Sequence, residues 1–567
     1  MMSLIGKQNK PLFAHISLLV TLIGGLYVGC NQPPAQEEPA KPNIILIMTD
    51  DMGYSDLGCY GGEIETPHLD SLAATGLRFT QFYNGARCCP SRASLMTGLY
   101  PHQTGIGHMT NPSEHFTQHD YHVPGYRGEL SPQTNTLAEV LKTAGYTTLM
   151  TGKWHLGMER KEQWPLQRGF DHYYGILDGA SNYFRPAQPR GITLENDTLT
   201  IDDPDFYTTD AFTDRAIQFI DQSKQADGER PFFLYLAYTA PHWPLQAPKE
   251  VIDKYRDRYH DGWGKLREER YKRMRQLGLI DTGWAMSKQD IFDWDTLPKE
   301  KQDEMALRRA IYAAQVDRMD ENVGKLVAYL KKNKLDENTL IVFINDNGAC
   351  AEGGDVGGGK KENLETQVGY FLTYGKGWAN ASNTPYREYK HWVHEGGISS
   401  PLIAHWPAKI PKKLNGSLIQ QYGFLPDIMA TFVDVSGASY HSEKGGKQVP
   451  DMAGKSLVPL LEGSDRPIHE QPIFWEHEGN KAVRLGAFKA VMKWQEGEEA
   501  QQHWELYDMQ KDRTEQHDLA KEMPEKVKAL ASAWQQWAAS HQVLPWPQML
   551  DSLHINEQRI KDKNTKS

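Results

Sequence analysis

Five short, continuous apolar runs place the strongest constraint on how this 567-residue chain can fold. They are rich in β-branched and aromatic residues, which is typical of strands buried on both faces of a sheet. Helical patterns separate them, so the sequence predicts an α/β fold with a mostly parallel, helix-covered sheet. The predicted strands are Asn43–Met48, Thr147–Met150, Pro231–Tyr238, Leu340–Ile344 and Leu402–His405.

Between these runs, apolar residues recur at helical spacing. The clearest pattern extends from Tyr312 to Leu330 in steps of three and four residues, which marks one face of a helix. A shorter helix is predicted over Thr136–Thr143, with Gly145 ending it. The segment Tyr255–Glu304 is charged and contains Trp residues, and two interpretations stay open: a solvated surface insertion, or a lid over a site.

The pattern changes after about residue 456. Short strands at close spacing and a following amphipathic helix from Pro524 to His541 predict a smaller α+β subdomain with an antiparallel sheet. We expect the main domain at residues 42–455, this subdomain at 456–550 and a polar tail at 551–567. The four predicted strands are Pro472–Glu476, Ala482–Leu485, Ala487–Trp494 and Trp504–Tyr507.

The N-terminus predicts export. Lys7 and Lys10 precede an uncharged stretch, Ile16 to Gly29, that is too short to span a bilayer comfortably. The stretch leads into Cys30 in a segment that resembles the lipobox of bacterial lipoproteins, with Tyr27 where that pattern usually has Leu. We expect a signal peptide at 1–29, a lipid anchor at Cys30 and a tether over 30–41, in the periplasm or at the cell surface. An uncleaved signal anchor is the alternative.

Composition and charge exclude several classes of protein. With 39% hydrophobic and 24% charged residues the chain is globular, and its net charge of −11 offers no basic face for nucleic acid. Five cysteines in this length exclude a disulfide scaffold. They are Cys30, Cys59, Cys88, Cys89 and Cys350.

Polar residues follow four of the predicted strands, at the point where each strand ends. Ligands of open α/β sheets bind beyond the carboxyl ends of strands, so these residues are expected to share one site. Each alone has a structural explanation, such as a turn or a helix cap. Asp and Asn together supply the hard oxygen ligands that Ca²⁺ and Mg²⁺ prefer. The residues are Asp50, Asp51, Lys153, His155, His242, Asp346 and Asn347.

The nucleophile is indicated by residues 88–98, CCPSRASLMTG. This segment resembles the signature of the type I, formylglycine-dependent sulfatases, Cys-x-Pro-Ser-Arg followed by Leu-x-Thr-Gly. Pro90 selects Cys88 rather than Cys89, since the proline stands two residues after the modified cysteine. The segments Lys153–Gly157 and Lys390–Gly397 also match the family, and the likeness is greatest to bacterial arylsulfatases. Two buried structural cysteines are the alternative interpretation.

The resemblance implies a fold like that of alkaline phosphatase, with a large mixed sheet between helices and a small four-stranded C-terminal sheet. It implies that a maturation enzyme oxidises Cys88 to formylglycine. It also implies one bound Ca²⁺, with Mg²⁺ as second choice. The implied metal ligands are Asp50, Asp51, Asp346, Asn347 and the modified residue 88.

The resemblance further implies a role for each remaining site residue. Arg92 and Lys153 orient the hydrated aldehyde, and His155 assists the elimination of sulfate. His242 protonates the leaving oxygen, and Lys390 contacts the sulfate oxygens. The expected activity is therefore that of an arylsulfatase-like sulfuric ester hydrolase on aryl or carbohydrate sulfates.

Two other functions stay open at this point. One is a phosphonate or phosphate ester hydrolase of the same superfamily, and the other is a lipoprotein that binds sulfated glycans without turnover. Residues Trp475–Asn480 and Arg484 either contact the leaving group or form subdomain core. Trp residues of Tyr255–Glu304 are candidates to stack on a ring of the substrate.

Overall fold

The computed structural model describes residues 40–110, 120–497 and 503–551. The described residues from Lys41 onward form one compact unit. The predicted signal peptide, Cys30, most of the tether and the tail from residue 552 lie outside the described residues. No helix in the described ranges is both long and apolar enough to cross a membrane. Export and lipid anchoring therefore stay predictions.

The described ranges contain one large sheet, two small sheets and helices. The strands are β1 (Asn43–Thr49), β2 (Leu77–Tyr83), β3 (Thr147–Lys153), β4 (His172–Ile176), β5 (Ile192–Leu194), β6 (Asp197–Leu199), β7 (Phe232–Ala237), β8 (Thr339–Asn345), β9 (Ser399–His405), β10 (Ser417–Ile419), β11 (Gly423–Phe424), β12 (Glu443–Lys444), β13 (Lys447–Gln448), β14 (Ile473–His477), β15 (Asn480–Leu485), β16 (Phe488–Met492) and β17 (Glu505–Asp508). The helices are α1 (Pro67–Ala74), α2 (Cys88–Thr97), α3 (Leu137–Lys142), α4 (Thr208–Ala226), α5 (Lys249–Tyr255), α6 (Gly262–Gln276), α7 (Lys299–Lys332), α8 (Gly375–Ser382), α9 (Glu395–Ile398), α10 (Pro426–Ser436), α11 (Val458–Leu461) and α12 (Pro524–Ser540).

The large sheet is mixed and has eleven strands. Its main path runs β10-β2-β9-β8-β1-β7-β3-β4-β5-β6, and β11 pairs with β2. The central strands β8, β1, β7 and β3 are parallel neighbours, whereas β9 runs antiparallel between β8 and β2. All five predicted strands lie in this sheet, so the predicted fold class is confirmed.

Strand β1 explains why the apolar runs are continuous rather than alternating. Ile45 and Ile47 lie in one hydrophobic cluster with Tyr312 of α7, while Ile44 and Leu46 lie in a second cluster on the other face. All four β1 residues are fully buried. Burying such a side chain contributes about 1.5–3 kcal/mol, so each face of the strand holds a helical layer in place.

The predicted helices form where the periodicity indicated. The helix α7 carries the predicted Tyr312–Leu330 face. The helix α3 begins with a capping box: Thr136 Oγ1 accepts from the Glu139 N–H at 3.1 Å, and a Glu139 carboxylate oxygen accepts from the Thr136 N–H at 2.9 Å. These two bonds satisfy backbone donors that the first turn leaves unpaired.

The segment Tyr255–Glu304 lies at the surface, with much of its length exposed, but one face of α6 packs into the interior. Arg270 of α6 donates to Asp56 at 2.7 Å and to Glu63 at 2.7 Å. Arg309 of α7 reaches the same Asp56 oxygen at 2.8 Å. All four side chains are buried, and a buried ion-pair network of this kind fixes α6 against α7.

The C-terminal part forms the predicted antiparallel sheet, β14-β15-β16-β17, with α12 packed on it. Pro524 is the first residue of α12, where its missing N–H costs nothing. Trp475 Nε1 of β14 donates to the Asn84 carbonyl at 2.9 Å, which ties this sheet to the loop that precedes α2. Trp534 of α12 donates to the Trp475 carbonyl at 2.9 Å.

Candidate active site

The carboxyl ends of the central strands bring the predicted site residues to one edge of the sheet. Strands β1, β3 and β8 lead directly into their site residues, and the loop after β7 reaches His242. Strand β2 is antiparallel to β9 and so ends at the same edge, where a short loop leads to Cys88 at the start of α2. Lys390 enters from the loop before α9 and β9. The shared edge follows from the parallel pairing of these strands.

Cys88 is the first residue of α2, and its side chain is fully buried among charged groups. Burial raises the pKa of its thiol, and the nearby cations Lys153 and Lys390 act in the opposite direction. The Cys89 sulfur instead accepts from the Thr110 N–H at 3.2 Å and belongs to the apolar cluster beneath the sheet. The two adjacent cysteines therefore occupy different environments, and Cys88 is the one beside the cations.

Three carboxylates meet three cations in this cluster. Arg92, one turn after Cys88, donates from Nε and Nη2 to the same Asp346 oxygen at 3.1 and 2.8 Å. Lys153 Nζ lies 2.7 Å from Asp50 Oδ2. All of these side chains are fully buried. A buried charge of either sign would be strongly unfavourable without its partner, so the pairs hold one another in place.

Asp51 forms the third pair. Its Oδ2 lies 2.9 Å from Lys390 Nζ and 3.4 Å from His242 Nε2, and its Oδ1 accepts from the Asn347 side-chain amide at 2.6 Å. Burial alone would raise the pKa of Asp51, but Lys390 and His242 hold it at about 2. Asp51 is therefore ionised and joins the β1 loop to Asn347 and Lys390.

The oxygen-rich side of the cluster fits a divalent cation. Asp50 Oδ1 and Asn347 Oδ1 are buried, and neither has a hydrogen-bond partner among the described residues. Burial and the neighbouring Asp50 raise the pKa of Asp346 to about 7, so the carboxylates are incompletely neutralised by side chains alone. Donor atoms of Asp50, Asp51 and His242 lie within 4.8 Å of one another. A hard cation would satisfy both the free oxygens and the excess negative charge.

His155 and His242 have defined proton positions. His155 Nε2 lies 3.0 Å from the Thr110 carbonyl, which only accepts, so Nε2 carries the proton. Its Nδ1 has no partner among the described residues. Burial and then Lys153 lower the pKa of His155 well below its usual value, so the ring is neutral and Nδ1 can accept a proton.

His242 Nδ1 donates to the Trp243 carbonyl at 2.7 Å, which leaves Nε2 facing Asp51 and Lys390. Lys390 Nζ lies 3.5 Å from this Nε2. Burial lowers the pKa of His242 to about 3, while Asp51 acts in the opposite direction. His242 Nε2 is thus placed beside the carboxylate of Asp51 and the ammonium group of Lys390.

An open cavity of about 450 Å³ lies beside these groups. His155, His242 and Lys390 line it, and three aromatic side chains that contact one another form part of its wall. No residue of Tyr255–Glu304 lines it, so neither the lid interpretation nor the stacking of Trp residues from that segment is supported. The wall residues are Trp243, Tyr370 and Phe371.

Sequence reasoning missed Glu352. Its carboxylate accepts from Trp243 Nε1 at 2.8 Å, pairs with Arg87 at 2.9 Å and lies 3.7 Å from Lys390. Burial would raise the pKa of Glu352, but Lys390 and Arg87 lower it. Glu352 carries no motif of its own. Its distance of six positions from Asp346, on the same loop, is the signal that could have found it.

Trp475, Glu476, His477 and Arg484 are buried, which favours the core interpretation of these residues over contact with a leaving group. Trp475 belongs to the cluster between the C-terminal sheet and α12.

The comparison with known proteins agrees with this site. The family model described as Sulfatase matches residues 42–438, and the model for the C-terminal part of N-sulphoglucosamine sulphohydrolase matches residues 387–539.

This chain belongs to the sulfatase family. As a sulfatase, it is a sulfuric ester hydrolase, and the expectation of an enzyme is confirmed.

This sulfatase is similar to an arylsulfatase of Klebsiella aerogenes, with 34% identity over 473 residues, 80% of this chain and 97% of the relative. An uncharacterized sulfatase of Schizosaccharomyces pombe is 34% identical over 542 residues, 90% of this chain and 96% of the relative. Among solved structures, Ps i-CgsB in complex with a neocarrahexaose gives a TM-score of 0.67 at 27% identity, covering 93% of this sulfatase and all of that chain.

Proposed function

We propose that this sulfatase cleaves sulfate monoesters at residue 88, modified from Cys88 to formylglycine, with one divalent cation bound beside it. The observation that carries the proposal is the position of Cys88 at the start of α2, next to three buried cations and three buried carboxylates. Fixed positive charge offsets the repulsion between an anionic ester and an incoming nucleophile.

The cation is proposed to be Ca²⁺, with Mg²⁺ as second choice. Asp50, Asp51, Asp346 and Asn347 would hold it together with residue 88, and the two unpartnered oxygens of Asp50 and Asn347 support this ligand set. When bound, such an ion polarises an ester oxygen and lowers the pKa of a coordinated hydroxyl. Hard oxygen donors favour these two cations over thiolate-seeking metals.

The modified residue 88 would supply a hydrated aldehyde, whose two hydroxyls allow one to attack and the other to release the product. Arg92 and Lys153 would place fixed positive charge beside it and orient its hydroxyls. Because Arg92 is anchored on Asp346 and Lys153 on Asp50, neither cation can rotate away from the start of α2. Such preorganised charge needs no rearrangement during the reaction.

His155 is proposed to accept the proton that accompanies sulfate release. Its Nε2–H is bound to the Thr110 carbonyl, so the lone pair that is left is on Nδ1. The low pKa of the ring keeps it unprotonated near neutral pH, and a neutral imidazole can act as a general base.

His242 and Lys390 are proposed to protonate the leaving oxygen. His242 Nε2 is the nitrogen that faces Lys390 Nζ, at 3.5 Å. Its role as an acid requires that the bound anionic ester raise the pKa of the ring, as a nearby opposite charge does. The Lys390 ammonium also offers positive charge to the sulfate oxygens. Its pKa stays well above the usual value: burial acts to lower it, but Asp51 and Glu352 outweigh burial.

The leaving group is proposed to be an aryl ring or a sugar. Trp243 contacts Tyr370 and Phe371 edge-on at centroid distances of 5.1 Å, and the last two are 38% and 42% exposed. An exposed aromatic wall beside an anion site suits a flat or partly apolar group. The printed names of relatives support both classes, since one is an arylsulfatase and one solved structure holds a neocarrahexaose.

We further propose that the protein is exported, anchored through a lipid on Cys30 and matured by a formylglycine-generating enzyme. The N-terminal sequence supports export and anchoring, and the Cys88–Arg92 segment supports maturation. Labelling of the lipoprotein fraction with a fatty acid, with a Cys30→Ser variant as control, tests the anchor.

A panel of substrates tests the proposed reaction. An aryl sulfate, defined sulfated saccharides and a matched aryl phosphate would be compared by release of free sulfate or phosphate. Faster release from sulfate esters supports the proposal. Faster release from phosphate would favour the phosphonate or phosphate ester hydrolase, and binding of sulfated glycan without release would favour the non-catalytic alternative.

A further inference from the structure

Three side chains with metal-binding chemistry meet away from the proposed calcium ligands. His391 lies in the loop after Lys390, His477 ends β14, and Glu478 lies in the tight turn between β14 and β15. One donor atom from each lies within 4.8 Å of the other two. His391 and Glu478 both have left-handed backbone conformations, with φ of +90° and +48°, which residues other than glycine rarely adopt.

The distances between these donors are long for hydrogen bonds. Glu478 Oε2 lies 3.3 Å from His391 Nδ1 and 3.7 Å from His477 Nε2. Hydrogen bonds between charged groups are usually about 2.7–2.9 Å long. Two ligands of one tetrahedral zinc ion, each at about 2.0–2.2 Å from the metal, are roughly 3.3–3.6 Å apart. The observed spacing is close to that of ligands sharing a cation.

His477 is the strongest single indication. Its side chain is fully buried, and neither ring nitrogen has a hydrogen-bond partner among the described residues. Buried polar groups are almost always paired, so the unpaired ring nitrogens of His477 indicate that a bound ligand, such as a metal ion, satisfies one of them. Burial lowers the pKa of His477 well below its usual value, which leaves the neutral ring that metal binding requires.

The carboxylate beside it stays ionised. Burial alone would raise the pKa of Glu478, but His477, His391 and Arg87 hold it well below its usual range. Glu478 therefore offers a charged oxygen beside two imidazoles.

We propose that His391, His477 and Glu478 bind one divalent cation with zinc-like preferences. Two imidazoles and one carboxylate form a donor set that suits Zn²⁺, with a fourth position for water. The side chains of His391 and Glu478 are 28% and 19% exposed, which provides a route for the ion. This site contains two nitrogen donors, whereas the ligand set proposed for Ca²⁺ contains only oxygens. Zn²⁺ would therefore prefer this site, and Ca²⁺ would prefer the other. The zinc site is independent of the proposed sulfatase mechanism.

The bound ion would join two parts of the cavity wall. His391 is adjacent to Lys390 in sequence, and Glu478 accepts from the Met109 N–H at 3.1 Å. Met109 and Lys390 both line the cavity. Zinc would therefore fix the Lys390 loop to the β14–β15 turn, and we expect it to raise the temperature of thermal unfolding.

The competing arrangement is a hydrogen-bonded group without metal. The Asn480 side-chain nitrogen lies 3.4 Å from His391 Nε2. If this amide donates to Nε2, the proton of His391 is on Nδ1 and points to Glu478. Direct measurement of bound metal separates the two arrangements.

The test uses the full protein with Ca²⁺ in excess, titrated with zinc chloride and desalted before elemental analysis. We expect one zinc per chain. His391→Ala and His477→Ala should each weaken zinc binding by at least roughly tenfold, since even second-shell changes cost 10–100-fold. His517→Ala, whose side chain is 75% exposed in the same C-terminal region, is the matched control and should bind as the unaltered protein does.

Thermal unfolding of each variant shows whether it is folded. If His477→Ala does not fold, the zinc content of His391→Ala still tests the proposal, because the His391 side chain is partly exposed and its loss should be tolerated. The proposal would be overturned in favour of the hydrogen-bonded group by any of three results. The unaltered protein does not retain zinc after desalting, the His391→Ala and His477→Ala variants retain as much zinc as the unaltered protein, or zinc binds only by displacing Ca²⁺. Release of sulfate from an aryl sulfate is measured in parallel, so failure of the zinc site is distinguishable from failure of the proposed reaction.

Discussion

Lys153 Nζ lies 2.7 Å from Asp50 Oδ2, while the other oxygen of that carboxylate, Oδ1, has no partner among the described residues. One half of the carboxylate is therefore neutralised by a fixed cation, and the other half is available to a metal. This division explains how one buried residue can serve two purposes: it holds Lys153 near the start of α2, and it would contribute a ligand to the proposed cation.

The first prediction concerns that ligand. Asp50→Asn should raise the Ca²⁺ concentration needed for half-maximal activity by at least about tenfold, because a neutral amide is a weaker ligand than a carboxylate. Activity after chelation, followed over a series of free Ca²⁺ concentrations, measures the shift. Asp303→Asn is the control, since Asp303 is half-exposed and pairs only with surface groups. An unchanged Ca²⁺ requirement would place the metal elsewhere.

The second prediction concerns Arg92. Arg92→Ala leaves Asp346 without its two charged hydrogen bonds, and breaking a buried pair from one side typically costs about 3–5 kcal/mol. We expect the free energy of unfolding in the absence of Ca²⁺ to fall by that amount. Ca²⁺ should recover part of the loss, because it would neutralise Asp346. Denaturant unfolding with and without Ca²⁺ measures both effects, and equal stability of the variant and the unaltered protein would contradict them.

The third prediction separates the two histidines. His242→Ala should slow turnover by about 10²–10⁴-fold on esters with poor leaving groups and much less on activated aryl sulfates, because good leaving groups need no proton. The slope of log kcat/KM against leaving-group pKa should therefore steepen. His155→Ala is the comparison, and its loss should be nearly independent of the leaving group. An equal loss of activity on all leaving groups in His242→Ala would show that His242 is not the general acid.

The fourth prediction concerns stability and pH. Burial opposes ionisation of Glu395, but Lys489 at 3.0 Å and Arg513 at 2.9 Å hold its pKa at about 2. The folded-state pKa is thus below the value of about 4.3 in an unfolded chain. The contribution of this carboxylate is fully present above that value and is lost as pH falls toward 2.

Glu395→Gln should therefore lower the free energy of unfolding by about 3–5 kcal/mol at pH 7, and the difference from the unaltered protein should shrink below pH 4. Urea unfolding over a pH series measures it. Glu462→Gln is the control, because Glu462 is 47% exposed and pairs only with Lys409. A difference that does not change with pH would show that the charge of Glu395 is not responsible.

Much of the site was predictable because its residues follow strands. The apolar runs that became β1, β3, β7 and β8 are parallel neighbours, and a parallel sheet brings the residues after each strand to one edge. The family signature then identified Cys88, which lies on α2 rather than directly after a strand.

Other features depend on contacts that sequence spacing does not encode. Glu352 pairs with Arg87 and Lys390, which lie in loops far from it in the chain. The sequence of a loop does not show whether a charged residue in it is buried or solvated. The buried face of α6 depends on such contacts as well. Arg270 is a charged residue in a charged segment, and only the structure shows that Asp56 and Glu63 pair with it in the interior.

The fifth prediction compares the adjacent cysteines. Cys88→Ala should reduce sulfate release by at least about 10³-fold, because it removes the proposed nucleophile. Cys89→Ala should retain most of the activity, since Cys89 lies in the apolar cluster and contacts Thr110. Equal losses in the two variants would mean that the reacting position is not residue 88. Both variants need thermal unfolding curves to show that they are folded.

The most direct test of the account is the mass of the tryptic peptide Cys88–Arg92 from protein that is active on an aryl sulfate. The account predicts an aldehyde in place of the thiol at residue 88, in a fraction that rises in proportion to activity across preparations made with and without a maturation enzyme. An unmodified thiol at residue 88 in fully active protein would contradict it.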